Sequence, residues 1–153
     1  MSYLAIDPGV KAVGLALRLD GRPNGLIGTA HHPIGSFDLR DSILRAHHIG
    51  CTHAVIEQAN GFGQNVKAAF GLCEARGRLI EACERTGLVV IRLHVATWQA
   101  GMLGKDRKGR TKELSIMSAK SLGVEIDNDN EADAVNMLVY AELNDLAELE
   151  DEK

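Results

Sequence analysis

The sequence predicts a mixed α/β domain, a five-stranded sheet with three antiparallel strands followed by parallel ones, flanked by helices. Three observations carry this. Residues 2–7 and 12–19 are apolar runs joined by Pro8-Gly9, a strand–turn–strand signature. Later short apolar runs alternate with longer segments of helical period, and strands that return through a helix pair in parallel. The chain has 153 residues, 45% of them hydrophobic, enough for one core beneath one sheet.

Taken in order, the first two strands are followed by a third at 25–30, after the turn signal "DGRPNG". "SFDLRDSILRAHH" (36–48) sets Phe37, Leu39, Ile43, Leu44 and Ala46 at helical spacing behind Ser36, a suitable N-cap. "THAVIEQ" (52–58) reads as a strand. Residues 64–87 form the longest expected helix, with a stripe of Val66, Ala69, Phe70, Cys73, Gly77, Ile80 and Cys83, closed by Gly87. "LVVIRLH" (88–94) is a buried strand, residues 111–123 a helix closed by Gly123, and residues 131–149 a final helix that turns polar. The order is β-β-β-α-β-α-β-α-α, with no internal repeat. Trp98, in "VATWQ", reads as packing in the core or at the start of a helix.

Charge is unevenly spread. The net charge is −4, which argues against a nucleic-acid partner. Yet residues 141–153 hold six acids and one lysine, so the rest of the chain carries +1. Residues 101–120 hold six basic and two acidic side chains. An acidic tail, expected over 142–153 after a domain at 1–141, therefore masks a basic stretch. No run approaches the ~18 apolar residues of a membrane span, and no signal peptide is visible. Cys51, Cys73 and Cys83 have no C-x-x-C spacing and read as core thiols in a reducing cytosol. The pairs His31-His32 and His47-His48 read as surface or turn residues.

Three acids interrupt apolar surroundings. Asp7 ends the first strand, Glu57 ends "AVIE", and Asp133 is placed in the first turn of the last helix. If the first and fourth strands are parallel neighbours, Asp7 and Glu57 emerge at one sheet edge, and the last helix can bring Asp133 there. Converging carboxylates repel and need a counter-charge, which magnesium or manganese supplies in an all-oxygen site. Gly9 allows the tight turn after Asp7. Gly14, inside the second strand, leaves room for a backbone or ligand to approach.

In "AIDPGVKAVGLAL", "AVIEQANGFGQNVKAAFGLCEARGRLIEA" and "NEADAVNMLVYA", over residues 3–141, the sequence resembles the RuvC-type Holliday junction resolvases of the RNase H-like nuclease superfamily, and most of all their small phage-like forms. The resemblance implies that Asp7, Glu57 and Asp133 are metal-binding catalytic acids. The family places a fourth ligand, often Asp or His, three residues before the last aspartate. Here that residue is Asn130, which shares a helix face with Asp133. Glu131 is ranked as a helix N-terminal charge, and Asp129 stays a minor alternative.

The activity so implied is metal-dependent, structure-selective cleavage of four-way DNA junctions by paired nicks in opposed strands. Two Mg²⁺ or Mn²⁺ ions act per site, with a 5′-phosphate and a 3′-hydroxyl as products. Lys105, Arg107, Lys108, Arg110 and Lys112 are expected to neutralise phosphates. Phe62, Gln64 and Asn65, in the loop after Glu57, are expected to touch DNA, with Phe62 as a stacking residue or wedge. A homodimer matches a two-fold junction. Part of its interface is placed on Ala68, Ala69, Gly71 and Ala75. The expected location is the cytoplasm of a bacterium or a phage-infected host. Another RNase H-like nuclease acting on RNA–DNA hybrid or RNA keeps the same acids. A catalytically weak junction-binding protein is the reading that Asn130 leaves open. ATPases of the actin and sugar-kinase superfamily also open on a D-x-G hairpin, but they need two such domains.

Overall fold

The computed structural model describes residues 2–9, 11–19, 25–58, 66–126 and 128–146. Among these residues, five strands form one sheet: β1 (Tyr3–Pro8), β2 (Ala12–Arg18), β3 (Ile27–Pro33), β4 (His53–Gln58) and β5 (Val89–His94). Their spatial order is β3-β2-β1-β4-β5. β1, β2 and β3 are an antiparallel meander, while β4 pairs parallel with β1 and β5 parallel with β4. This is the sheet that the sequence predicts. β3 runs longer than expected, so His31 and His32 lie in a strand rather than a turn.

Among the described residues, five helices cover the sheet: α1 (Phe37–His48), α2 (Val66–Thr86), α3 (Val95–Leu103), α4 (Thr111–Ser121) and α5 (Asp129–Leu143). Ser36 caps α1 as expected, its side chain accepting from the Leu39 amide at 3.1 Å. α3 is not foreseen by the sequence pattern. It follows β5 without a break, has no side-chain cap and is apolar nearly all round, so neither a start signal nor a polar stripe marks it.

Alternation along the strands divides the core in two. Leu4, Ile6, Val13, Leu15 and Ile56 face α1 and α2, where Leu39, Ile43 and Leu79 meet them. Tyr3, Ala5, Ala16 and Val55 face the other way, against Trp98 of α3, Ala119 of α4 and the apolar side of α5. No helix among the described residues is long and apolar enough to cross a membrane.

Several expectations are corrected. The buried stripe of α2 is Ala75, Leu79 and Cys83, rotated from the predicted one, and Val66 and Phe70 are exposed. α2 has 21 residues and is about 31 Å long, whereas a six-residue strand spans about 20 Å, so its first turns overhang the sheet. Consequently Cys73 is exposed while Cys51 and Cys83 are buried. Ala75, assigned to a dimer interface, packs instead into its own core. Finally, α5 starts at Asp129 and ends at Leu143, so Asp133 lies in its second turn. Asn128 is the cap, accepting from the Glu131 amide at 3.0 Å and donating Nδ2–H to the Glu131 carboxylate at 3.1 Å, a variant of the capping box. Glu142, counted with the acidic tail, forms a fork with Arg18 of β2, at 2.7 Å for the Nη2 bond.

Candidate active site

Parallel pairing sets Ile6 beside Ile56, and one step further along both strands stand Asp7 and Glu57. Ala5 and Val55, two residues earlier, both belong to the core layer under α5. The two carboxylates therefore leave neighbouring strand ends on that same face.

Gly14 brings the third acid within reach. Asp7 is paired across the sheet with Gly14, and Gly14 with His31. The start of α5 fills the space a side chain would take: a Cβ at Gly14 would lie 2.2 Å from the Asn130 carbonyl oxygen. The turn after Asp7 is equally tight, with the Gly9 amide donating to the Ala12 carbonyl at 2.9 Å. Asn130 sits above this floor, its Nδ2 3.5 Å from His31 Nε2, and Asp133 follows three residues on along the helix.

Two of the three acids have their own support. The indole Nε1–H of Trp98 donates to Glu57 at 3.1 Å. The Ser115 hydroxyl of α4 donates to Asp133. Ser115 is held in turn by buried Asn136, whose Nδ2 donates to the Ser115 hydroxyl at 2.9 Å and its carbonyl at 3.1 Å, while the Ser118 hydroxyl donates to Asn136 Oδ1 at 2.5 Å. α4 and α5 are thus laced together by hydroxyls and an amide directly behind Asp133.

The electrostatics are those of a site short of positive charge. Burial raises the Asp7 carboxyl well above the usual range, and Glu57, Asp133 and Asp129 push it further, against the charge of Arg76. Burial also raises Glu57, against the Trp98 bond and Arg76. Asp133 is raised to about 6, chiefly by burial and then by Glu57 and Asp129, with the Ser115 bond and Lys112 opposing. Asp129 moves the other way. Its ion pair with Lys112 at 2.5 Å holds it below the usual carboxylate range, so it serves as that lysine's counter-ion at the rim.

Of the predicted metal-site residues, Asp7, Glu57, Asp133 and Asn130 come together at one end of the sheet, and buried Glu131 is engaged by its cap. The basic stretch is the α3–α4 loop and the start of α4. Arg107 Nη1 turns back on the Gly104 carbonyl at 2.8 Å, and Arg110 pairs with Glu113 at 3.1 Å. Lys112 pairs with Asp129, which sets this stretch beside the acids. Lys105 and Lys108 are exposed and form no ion pair among the described residues. Phe62, Gln64 and Asn65 lie outside the described residues.

Sequence reasoning missed Arg76, the charge acting on both Asp7 and Glu57, and the parts played by Ser115 and Trp98. A buried indole needs an acceptor, which was the available signal for Trp98. A serine within an amphipathic helix carries no such mark.

No three His, Cys, Asp or Glu side chains among the described residues are gathered closely enough to form a finished metal cage. Glu57 and Asp133 are each turned to a separate donor, Trp98 and Ser115. The donor set nonetheless fits a hard divalent cation: buried carboxylates plus an amide oxygen, with the Asp7 and Asp133 carboxyls raised first by burial and then by the neighbouring acids.

Solved structures share the fold. RuvC of Thermus thermophilus in complex with Holliday junction substrate aligns with a TM-score of 0.69 over 94% of this chain and 96% of that one, at 17% identity. A further Thermus thermophilus RuvC structure aligns with a TM-score of 0.67 over 94% and 97%, also at 17% identity. No protein-family model and no curated protein matches the chain. The fold is that of RuvC, with the RNase H-like mixed sheet that the sequence resemblance implies.

Proposed function

We propose that this protein is a divalent-metal-dependent, structure-selective DNA endonuclease that resolves four-way junctions as a homodimer, nicking two opposed strands. The observation that carries the reading is the pairing of Asp7 with Glu57 at adjacent parallel strand ends, with Asp133 brought over them by α5. Support comes from the shared fold, since one of the aligned RuvC structures holds a Holliday junction.

Divalent ions held by Asp7, Glu57, Asp133 and the Asn130 amide oxygen would activate the attacking water and stabilise the leaving oxygen of a phosphodiester. The chain supplies everything around that chemistry. Trp98 and Ser115 each hold one carboxylate by a donated hydrogen bond, which limits the reorganisation needed on loading. Burial of Asp7 keeps bulk water from competing for its oxygens. Lys112, tethered by Asp129, sets positive charge at the mouth. Lys105 and Lys108 are available to backbone phosphates, and Gly104 and Gly109, both at positive φ, shape the loop that presents them.

The test is cleavage of labelled four-way junction, linear duplex and RNA–DNA hybrid with magnesium or manganese. Paired nicks in the junction alone support the reading. Preferred cutting of the hybrid would assign the site to another RNase H-like nuclease, and binding without cutting in either metal would leave a junction-binding protein. Light scattering tests the dimer: a mass near twice the 16.5 kDa of one chain is expected without DNA.

A further inference from the structure

Arg76 stands midway along α2, next to buried Ala75. Its Nε and Nη2 are both buried and have no hydrogen-bond partner among the described residues. Buried guanidinium donors without acceptors oppose folding, and such groups in native proteins call for an explanation. Glu57 does not provide one: the described ion pairs do not include Arg76, although its charge reaches both Glu57 and Asp7.

The surroundings point outward. Leu72, Arg76 and Ile80 follow one another at four-residue spacing along α2 and line a cleft of about 360 Å³ together with Glu57, Gln58 and Arg92. Arg92 is exposed on edge strand β5, in register with Ile56, one residue before Glu57. Two guanidinium groups, one from a helix and one from an edge strand, thus share a cleft bordered by a candidate catalytic acid. The apolar walls lower the local dielectric and strengthen any ion pair formed there. A planar fork of donors matches the oxygens of a phosphate.

We propose that Arg76 and Arg92 form an anion subsite that holds a backbone phosphate of the DNA strand on the Glu57 side of the cut, next to the phosphate that is cleaved. This deepens the nuclease reading and rests on it.

Three measurements test it. In the first, the arginine Nε–Hε resonances of ¹⁵N-labelled protein are followed during titration with inorganic phosphate, Arg76 and Arg92 being assigned through their lysine variants. Both should shift and saturate together; if neither moves, the subsite is refuted. In the second, junction binding is measured against salt in the Asp7→Asn background. The double variant Arg76→Met/Arg92→Gln should bind about tenfold more weakly, and its salt slope should flatten by about 0.9 for one lost phosphate contact. Phosphate shifts with an unchanged slope would restrict the site to free anions and overturn its assignment to DNA. In the third, Arg76→Met should melt no lower than the parent, because it removes an unsatisfied buried cation. Lower melting with an unchanged slope would make Arg76 a structural residue. A parent protein that binds and cuts junctions while the double variant matches it refutes the subsite alone. A parent that binds no nucleic acid refutes the nuclease reading and the DNA subsite together.

Discussion

The two faces of the sheet are built from different materials. The face under α1 and α2 is a hydrocarbon layer of Leu4, Ile6, Leu15, Ile43, Ile56 and Leu79, all nearly inaccessible to water. The face under α3, α4 and α5 also has a hydrocarbon floor, but toward the carboxyl ends of β1 and β4 it becomes polar, with Asp7, Asp133, Ser115 and Asn136 bonded or buried among apolar neighbours. One face therefore supplies stability, and the other gives up some stability to keep anions out of water. If that division is right, substitutions on the two faces should separate stability from activity.

The largest expected effect is at Asp7. Asp7→Asn should reduce cleavage to background while junction binding and folding persist, and should raise the melting temperature of metal-free protein, because a buried carboxyl among other acids is neutralised. Near-normal cutting by this variant would remove the central assignment. On the other face, Ile43→Ala should cost about 2–5 kcal/mol in denaturant unfolding, with the cleavage rate per folded molecule unchanged. A lost rate without lost stability at Ile43, within the hydrocarbon layer itself, would break the comparison.

Next come the supports. Trp98→Phe and Ser115→Ala should each reduce cleavage by about 10- to 100-fold, the range for groups that orient metal-binding side chains, and Ser115→Ala should leave Asn136 and Asp133 short of a partner at about 1–3 kcal/mol. The check is single-turnover rate beside chemical denaturation. A variant that loses stability alone would show that these bonds serve packing only.

A smaller effect concerns pH. Asp133 titrates near 6 in the folded protein against an ordinary 3.8, so the folded state holds this proton more tightly than the unfolded chain. Its contribution to stability is present below 3.8, is lost as pH rises through 6, and is absent above. Magnesium or manganese should restore it, so calorimetry should record a larger rise in melting temperature on adding metal at pH 7.5 than at pH 5. Equal rises at both would mean that these carboxylates do not hold the ion. The smallest effect is expected at Asn130, where Asn130→Asp should shift the magnesium titration of cleavage to lower concentration. If Glu131→Gln, rather than Asn130→Asp, moves that titration, the fourth ligand is misassigned.

What was legible in the sequence follows the same division. Strand alternation and turn residues are local signals, and they foretold the sheet, its parallel half and the adjacency of Asp7 and Glu57. The stripe of α2 was misread because a helix longer than its sheet carries apolar residues past the sheet, as at exposed Val66 and Phe70. α3 escaped because an apolar helix continuing directly from a strand has no cap and no contrasting face. Arg76 and Ser115 act through neighbours distant in the chain, and their residue types alone say nothing of those neighbours.

Gly14 carries no chemistry, yet the backbone of α5 at Asn130 and Glu131 rests where its side chain would be. Every other amino acid, alanine included, would act as a wedge that lifts the helix bearing Asp133 away from the strand bearing Asp7. In a saturation library selected for activity, position 14 should therefore be as intolerant as the acids themselves. A map of functional residues drawn from such a screen would mark a catalytic position at a residue with nothing to donate, accept or coordinate.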